Sequence, residues 1–470
     1  MASDDSLHHQ NHHHNHTLNG LHSPKEEEGA KGGEEPNNNK RFKLSSKLIT
    51  PEEIQSEFSH HDPAVARINN GSFGCCPQSV IAAQRRWQLH YYRQPDHFFL
   101  NCLKPAILRS RTLVASLINA PSADDISLVD NATTAAAIVL QHAAWSFHEG
   151  RSRPGDAAVM LHYAYGAVKK SVHAYIARAG ARVVEVALPF PVHSPADIVA
   201  EFRRALDLAR DGGARKVRLA VIDHVTSMPA VVIPVKELVK ICREEGVDQV
   251  FVDAAHGIGC VDVDVQDIGA DFYASNLHKW FFCPPAVAFL YCRRRPSSQG
   301  DDLHHPVVSH EYGNGLAIES AWIGTRDYSP QLVVPEVMEF LARFDGGIDG
   351  IKRRNHEAVV EMGRMLANAW GTHLGCPPEM CGSMIMVGLP ACLGIEGEDD
   401  ALRLRTHLRD EFGVEVPIYF RPPKEGEVGV VTGYARISYQ VYNKVEDYHK
   451  FRDVISRFVS DGFTCALLSG

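Results

Sequence analysis

Seven short apolar runs recur between residues 126 and 291: Ile126–Val129, Ala157–Leu161, Val183–Val186, Val217–Ile222, Gln249–Val252, Asp271–Ala274 and Val287–Tyr291. Helical stretches at Thr133–His148, Ala167–Ala179, Pro195–Ala209 and Pro234–Glu245 separate most of them. Strands that are apolar along their whole length are buried on both faces, and amphipathic crossovers between them join parallel neighbours. The pattern predicts an α/β domain on a mostly parallel, seven-stranded sheet flanked by helices. No long helix separates the last two runs, which allows an antiparallel edge strand.

The rhythm changes near Ser329–Pro335. Two long helices are expected at Leu332–Phe344 and Ile351–Ala369, then strands at Ser383–Val387 and Ala435–Tyr439. This predicts a smaller α+β domain over 331–470, after an N-terminal segment and large domain over 47–330. That segment opens with a helix at Pro51–Phe58: Thr50 is a suitable N-cap, and Pro51, Glu52 and Glu53 suit a first turn. Residues 1–46 read as a disordered tail rich in His, Asn and Glu, with too little apolar surface to offset ordering. Its histidines could hold a transition metal; a solvated low-complexity tail is the plainer reading.

Composition excludes several classes of function. A net charge of −9 and a pI near 6.3 argue against a nucleic-acid binder. No apolar run approaches the roughly 18 residues a membrane span needs, so no membrane partner is expected. The first residues lack the apolar core of a secretory signal. The eleven cysteines are scattered without a CxxC pair, which suits a reducing interior and gives no reason to expect a metal site. The cytoplasm is the expected compartment. The basic patch Lys40–Lys43 is a weak nuclear hint.

In an open parallel sheet, ligands bind beyond the carboxyl ends of the strands. Polar residues at these ends include Asn131, Thr133 and Thr134; His162 and Tyr163; Asp223 and His224; Asp253 and His256; and Asn276, His278 and Lys279. Asp253 ends an apolar strand and needs a cationic partner, for which a protonated pyridine nitrogen is one candidate. Lys279 lies in Asn276-Leu277-His278-Lys279-Trp280, amid apolar and aromatic neighbours. Burial there lowers an amine's pKa and suits it to condense with an aldehyde. Asn131-Ala132-Thr133-Thr134 opens an Ala-rich helix whose N-terminus can take a phosphate dianion. Each feature alone has an ordinary reading, as an ion pair, a surface-loop lysine or an N-cap.

Together, the strand–NATT–helix segment, VDAAH at 252–256 and NLHKW at 276–280 resemble the class-V aminotransferase family of fold type I pyridoxal-phosphate (PLP) enzymes. NLHKW and the downstream Trp322–Asp327 are similar to the branch that holds isopenicillin-N-epimerase-like proteins and plant L-cysteine desulfhydrases. The resemblance implies that Lys279 carries PLP and that Asp253 pairs with its ring nitrogen. It further implies that His256 bonds the ring hydroxyl, that Ser227 lies near the ring oxygen, and that Tyr163 stacks on the ring, with Tyr165 and His162 as rivals. Ala132, Thr133 and His278 would bind phosphate. Thr325 would reach the phosphate of a neighbouring subunit, implying a homodimer. Arg436 would grip the substrate carboxylate, and Asn70 would line the pocket. Ser227 stands where many relatives carry Asn, and Pro284-Pro285-Ala286-Val287 replaces a more usual glycine-containing turn. The implied activity is β-elimination of L-cysteine to hydrogen sulfide, pyruvate and ammonia. The alternatives are an amino-acid epimerase or racemase, another class-V enzyme, or an inactive regulatory homologue.

Overall fold

The seven expected strands form one sheet. They are β1 (Ile126–Val129), β2 (Ala157–Leu161), β3 (Arg182–Val186), β4 (Val217–Asp223), β5 (Gln249–Asp253), β6 (Phe272–Asn276) and β7 (Ala288–Cys292), in the spatial order β1-β7-β6-β5-β4-β2-β3. The computed structural model describes residues 47–294, 303–424, 427 and 429–468. The expected tail over 1–46, with its basic patch, lies outside the described residues.

Alternation along each strand fills both faces. Met160, Leu219, Phe251 and Leu290 pack on one side under the helix Ala132–His148. Val159, Ala220, Val252 and Tyr273 pack on the other, under the helices Pro195–Arg210 and Val235–Glu244. Residues apolar on both faces leave no solvated side, which is why these runs read as continuous.

All strands run parallel except β7, which is antiparallel to both of its neighbours. The antiparallel strand therefore lies inside the sheet, not at the expected edge. The link from Asn276 to Ala288 is too short for a helical crossover, so the chain returns alongside β6. β1 then covers the far side of β7.

A second, antiparallel sheet contains β8 (Met384–Gly388), β9 (Ile418–Phe420) and β10 (Gly433–Ser438), in the order β9-β10-β8. Helices Gly347–Trp370, Glu398–Phe412 and Val445–Ser460 accompany it. Its core is continuous with that of the large sheet through Ile385, Met386 and Ile437. The first helix, Pro51–Glu57, carries the expected Thr50 cap, completed by Glu53 in a capping box. Among the described residues, no helix is long and apolar enough to cross a membrane.

The N-terminal segment bridges the two sheets. Ala66–Arg67 pairs in parallel with Val414–Glu415, and Ile68 O accepts the Ser438 N–H at 2.9 Å. The chain then crosses to the loop that follows β6. Gly74 makes this approach possible: its φ is +69°, and a Cβ there would lie 2.0 Å from His278 O and 2.5 Å from Lys279 O.

Candidate active site

A cavity of about 210 Å³ lies at the carboxyl end of the parallel strands. Asp223 and Asp253 are paired in register at the ends of β4 and β5, Asn276 ends β6, and Lys279 stands on the loop that follows. All four line the cavity. Parallel strands deliver their polar ends to the same side, which concentrates these groups.

Lys279 is deeply buried. Burial, reinforced by the positive charge of Arg436 and opposed by Asp253, pushes its amine down to about 7. The Nζ lies 3.1 Å from His256 Nε2, and the Trp280 indole N–H donates to His256 Nδ1 at 3.2 Å. An acceptor at Nδ1 places the imidazole proton on Nε2. The histidine therefore donates to a neutral lysine amine. Burial, with the nearby Lys279 and Arg436 charges, holds His256 uncharged.

Asp253 is 3 % exposed. Its Oδ1 accepts the Ala255 N–H at 3.1 Å, and it makes no ion pair among the described residues. Burial raises this carboxyl to about 6, against the opposing effects of the Ala255 N–H and Lys279. Asp223 is pushed further in the same direction by burial and by the charge of Asp253, and its Oδ2 is buried without a partner. A desolvated carboxylate beside a cavity is costly without a cation, and a protonated pyridine nitrogen meets that need.

At the other end of the cavity, the helix Ala132–His148 begins. Asn131 caps it by accepting the Thr134 N–H at 2.9 Å, and the Ala132 N–H donates to Asn276 Oδ1 at 2.8 Å. Thr133 is exposed, and it contributes both an N–H and a hydroxyl to the positive end of the helix. His278 donates from Nδ1 to Val287 O at 3.2 Å, which fixes the ring with Nε2 as its remaining nitrogen. An amine of lowered basicity, a carboxylate without a cation and a helix N-terminus suited to a dianion thus share one cavity. They fit the aldehyde, ring nitrogen and phosphate of PLP.

Fold and site define the class: a PLP-dependent enzyme of fold type I. The sequence matches the aminotransferase class-V family over residues 75–451, and the chain belongs to that family. It is 67 % identical over 431 residues to the probable L-cysteine desulfhydrase, chloroplastic, of Arabidopsis thaliana, covering 92 % of this chain and 90 % of that protein. A second Arabidopsis thaliana protein, L-cysteine desulfhydrase, is 60 % identical over 425 residues, covering 89 % of this chain and 93 % of its own length. A solved NifS-like protein shares the fold, with a TM-score of 0.64 at 19 % identity, covering 84 % of this chain and 99 % of that one. PLP is the cofactor of this enzyme family.

Of the eleven residues given a first-choice site role from sequence, seven line the cavity: Ala132, Thr133, Ser227, Asp253, His256, His278 and Lys279. Four lie elsewhere. Tyr163 packs edge-on against Phe190 and Tyr419, while its rival Tyr165 stands in the cavity wall. Asn70 is fully engaged behind the wall: its amide donates to Asn443 Oδ1 at 2.7 Å and its Oδ1 accepts from Tyr442 at 2.7 Å. The same short helix instead presents Ser72 and Phe73 to the cavity. Arg436 is buried one layer back, donating to Ser227 Oγ (3.1 Å) and O (2.7 Å), Asn69 Oδ1 (2.9 Å) and Ser72 Oγ (2.8 Å). Thr325 is exposed, on the loop whose Arg326 pairs with Asp130.

Sequence reasoning assigned no role to Asp223 or to the Asn276–Ala132 bond. Both residues are polar groups at strand ends, so the signal was there. Only the register of β4 against β5 shows that Asp223 stands beside Asp253.

Proposed function

We propose that this chain is an L-cysteine desulfhydrase, releasing hydrogen sulfide, pyruvate and ammonia from L-cysteine by β-elimination. The two Arabidopsis relatives bear that activity in their names, at 60 % and 67 % identity. One observation favours elimination over transfer of sulfur to a protein thiol: among the described residues, no cysteine lines the cavity. Cys376 and Cys381 are buried elsewhere, and burial pushes the Cys376 thiol up to about 12 and Cys381 up as well. Neither is a thiolate near neutral pH.

Bound PLP supplies an electron sink that makes the substrate Cα–H acidic. The protein's residues do the rest. Lys279 would hold the cofactor aldehyde, and its amine, pushed down to about 7 by burial, is matched to take up the substrate Cα proton. Asp253 keeps the ring nitrogen protonated. His256 offers its Nε2–H to the ring oxygen, with Ser227 beside it. The Ala132–Thr133 helix start and His278 hold the phosphate. Ser72 and Ser227 sit between Arg436 and the cavity. The guanidinium reaches a substrate carboxylate by exchanging those hydroxyl contacts for a bidentate pair.

Thr325 supports a homodimer in this reading. The Ala132 N–H is already committed to Asn276, so the helix start leaves few donors for a dianion. A hydroxyl from an exposed loop of a second copy would add one.

Racemisation or epimerisation remains the second reading, and it needs a base on the opposite face. Of Tyr163, Tyr165 and His224, only Tyr165 lines the cavity. His224 is buried at the end of β4, 2.7 Å from the Tyr273 hydroxyl. The decisive experiment incubates purified holoenzyme with L-cysteine. Sulfide and pyruvate in equal amounts support the proposal; D-cysteine without sulfide supports the second reading. Neither product, with the PLP absorbance band present in the wild type and lost in Lys279→Ala, leaves the cofactor assignment standing and rejects the substrate. Failure to acquire that band rejects active PLP chemistry and returns the inactive homologue.

All eleven cysteines are free, which supports a reducing compartment. One relative is named chloroplastic, whereas the sequence reading here favours the cytoplasm. A fluorescent fusion to the C-terminus of the full chain decides between the two.

A further inference from the structure

Outside the cavity, His60, His61 and Cys75 bring their donor atoms within 4.8 Å of one another. The histidines occupy the turn after the helix Pro51–Glu57, and Cys75 follows Gly74 in the segment that lies on the Lys279 backbone. We propose that His60 Nε2, His61 Nε2 and Cys75 Sγ form a binding site for one thiophilic divalent cation of the zinc class. The scattered cysteines gave no sign of this, because the fold unites ligands that are 14 and 15 residues apart in the chain.

His60 already stands at the separation such an ion needs from the sulfur, and His61 must move to reach it. With Zn–N about 2.0 Å and Zn–S about 2.3 Å, tetrahedral donors sit roughly 3.5 Å apart. His60 Nε2 is 3.6 Å from Cys75 Sγ. His61 Nε2 is closer, at 2.6 Å, and a bound ion would push it outward. The His61 ring packs edge-on against Tyr442 at 4.7 Å, with its Nε2 facing the sulfur. His60 Nδ1 lies 3.2 Å from the Gln78 side-chain amide; with the amide turned over, its oxygen accepts the Nδ1–H and leaves Nε2 bare for the metal. Burial pushes the Cys75 thiol up, and Arg67, within 4.0 Å of the sulfur, opposes that rise; Glu415, 3.8 Å from Arg67, offsets part of its positive charge. Two imidazoles and a thiolate suit zinc or cobalt and do not suit magnesium or calcium. His60 is exposed, so the ion enters from solvent and keeps a water in the fourth position.

The site also has a structural consequence. Ser72 and Phe73 of the same segment line the cavity. An ion bound to Cys75 would tie this wall to the turn at His60 and His61.

The test uses the full PLP-loaded chain, stripped of metal and free of added thiols and L-cysteine. Cobalt(II) is titrated and read by difference absorbance. The expected result is a thiolate-to-cobalt charge-transfer band that saturates at one ion per chain, is bleached by zinc and is indifferent to magnesium. The N-terminal histidines cannot produce it, because residues 1–46 contain no cysteine. A second group, His90, His97 and Cys102, could, so Cys102→Ser must keep the band and Cys75→Ser must remove it. Should Cys75→Ser fail to fold, His60→Ala, at an exposed position, must weaken cobalt binding by about tenfold or more. No thiolate band in the wild type, a band that survives Cys75→Ser, or unchanged affinity in His60→Ala overturns the proposal.

Discussion

Lys279 and Trp280 hold the same imidazole from two sides: the lysine Nζ lies 3.1 Å from His256 Nε2, and the tryptophan N–H donates to Nδ1 at 3.2 Å. The Trp280 N–H thereby fixes the tautomer of the histidine, while burial and the Arg436 charge push the Lys279 amine down. The pH dependence of cofactor uptake follows. Only the neutral amine attacks an aldehyde, and Lys279 is pushed down to about 7 from an ordinary 10.5. Apoprotein should therefore take up PLP at a rate that rises through pH 7 and levels off by about pH 8. Stopped-flow absorbance against pH reads this directly; a rate still climbing above pH 9 contradicts a buried, low-pKa lysine.

The carboxylates give a second expectation, in stability. Asp253 is raised to about 6 in the fold from an ordinary 3.8. Its ionisation therefore disfavours the folded apoprotein, with no penalty below pH 3.8 and the full one above pH 6. The magnitude is on the order of 3 kcal/mol. Apo Asp253→Asn should melt no lower than apo wild type at pH 8, and this advantage should shrink towards pH 4. The same variant should bind PLP weakly and lose at least about a hundredfold in activity, because the ring nitrogen no longer meets an anion. A large loss of apoprotein stability at pH 8 would falsify this account.

Gly74 is the third test. Its φ of +69° and the 2.0 Å approach to His278 O leave no room for a methyl group. Gly74→Ala must push the N-terminal segment off the lysine loop, at a cost above about 2 kcal/mol. Urea denaturation should report that loss. The holo fraction should fall with it, since Ser72 and Phe73 move with the segment.

The two tyrosines separate by position. Tyr165 stands in the cavity wall, whereas Tyr163 packs against Phe190 and Tyr419. Tyr165→Ala should shift the PLP absorbance band and lower kcat/KM for L-cysteine by about tenfold or more, at nearly unchanged stability. Tyr163→Ala should do the reverse, lowering stability by about 2–4 kcal/mol with the band in place. Equal spectral shifts in both variants would reject the placement.

Local chemistry made much of this legible in advance. Runs such as Ile126–Val129 and Ala157–Leu161 are apolar on both faces, so their ends were readable to the residue. Thr50 and Glu53 announce a helix start by their spacing alone. The helices Gln78–Arg93 and Leu103–Leu117 escaped notice. The first buries little beyond Val80 and Ala83, so its apolar stripe is thin. At the site, Lys279 and Asp253 were readable because each polar group follows an apolar strand. Tyr163, Asn70 and Arg436 were harder, because periodicity says which residues leave a strand but not which way the following loop turns. The ligand cluster at His60, His61 and Cys75 depends on where two loops meet, and no local pattern encodes that.

The loop after Lys279 offers the last expectation. The sequence puts Pro284-Pro285-Ala286 in this turn, and Ala286 adopts φ +70°. An alanine in that region costs about 1–2 kcal/mol, while a glycine there adds about 0.4–1 kcal/mol of chain entropy to the unfolded state. The balance favours Ala286→Gly by about 0.5–1 kcal/mol, visible as a higher denaturation midpoint. The neighbouring Val287 carbonyl accepts both the His278 Nδ1–H at 3.2 Å and the Leu277 N–H at 3.1 Å. A freer backbone should loosen His278, and with it the grip on phosphate. The expected signature is therefore a protein that is more stable as apoprotein yet binds PLP more weakly. Tighter PLP binding in Ala286→Gly would show that the strain at this turn does not serve to hold His278.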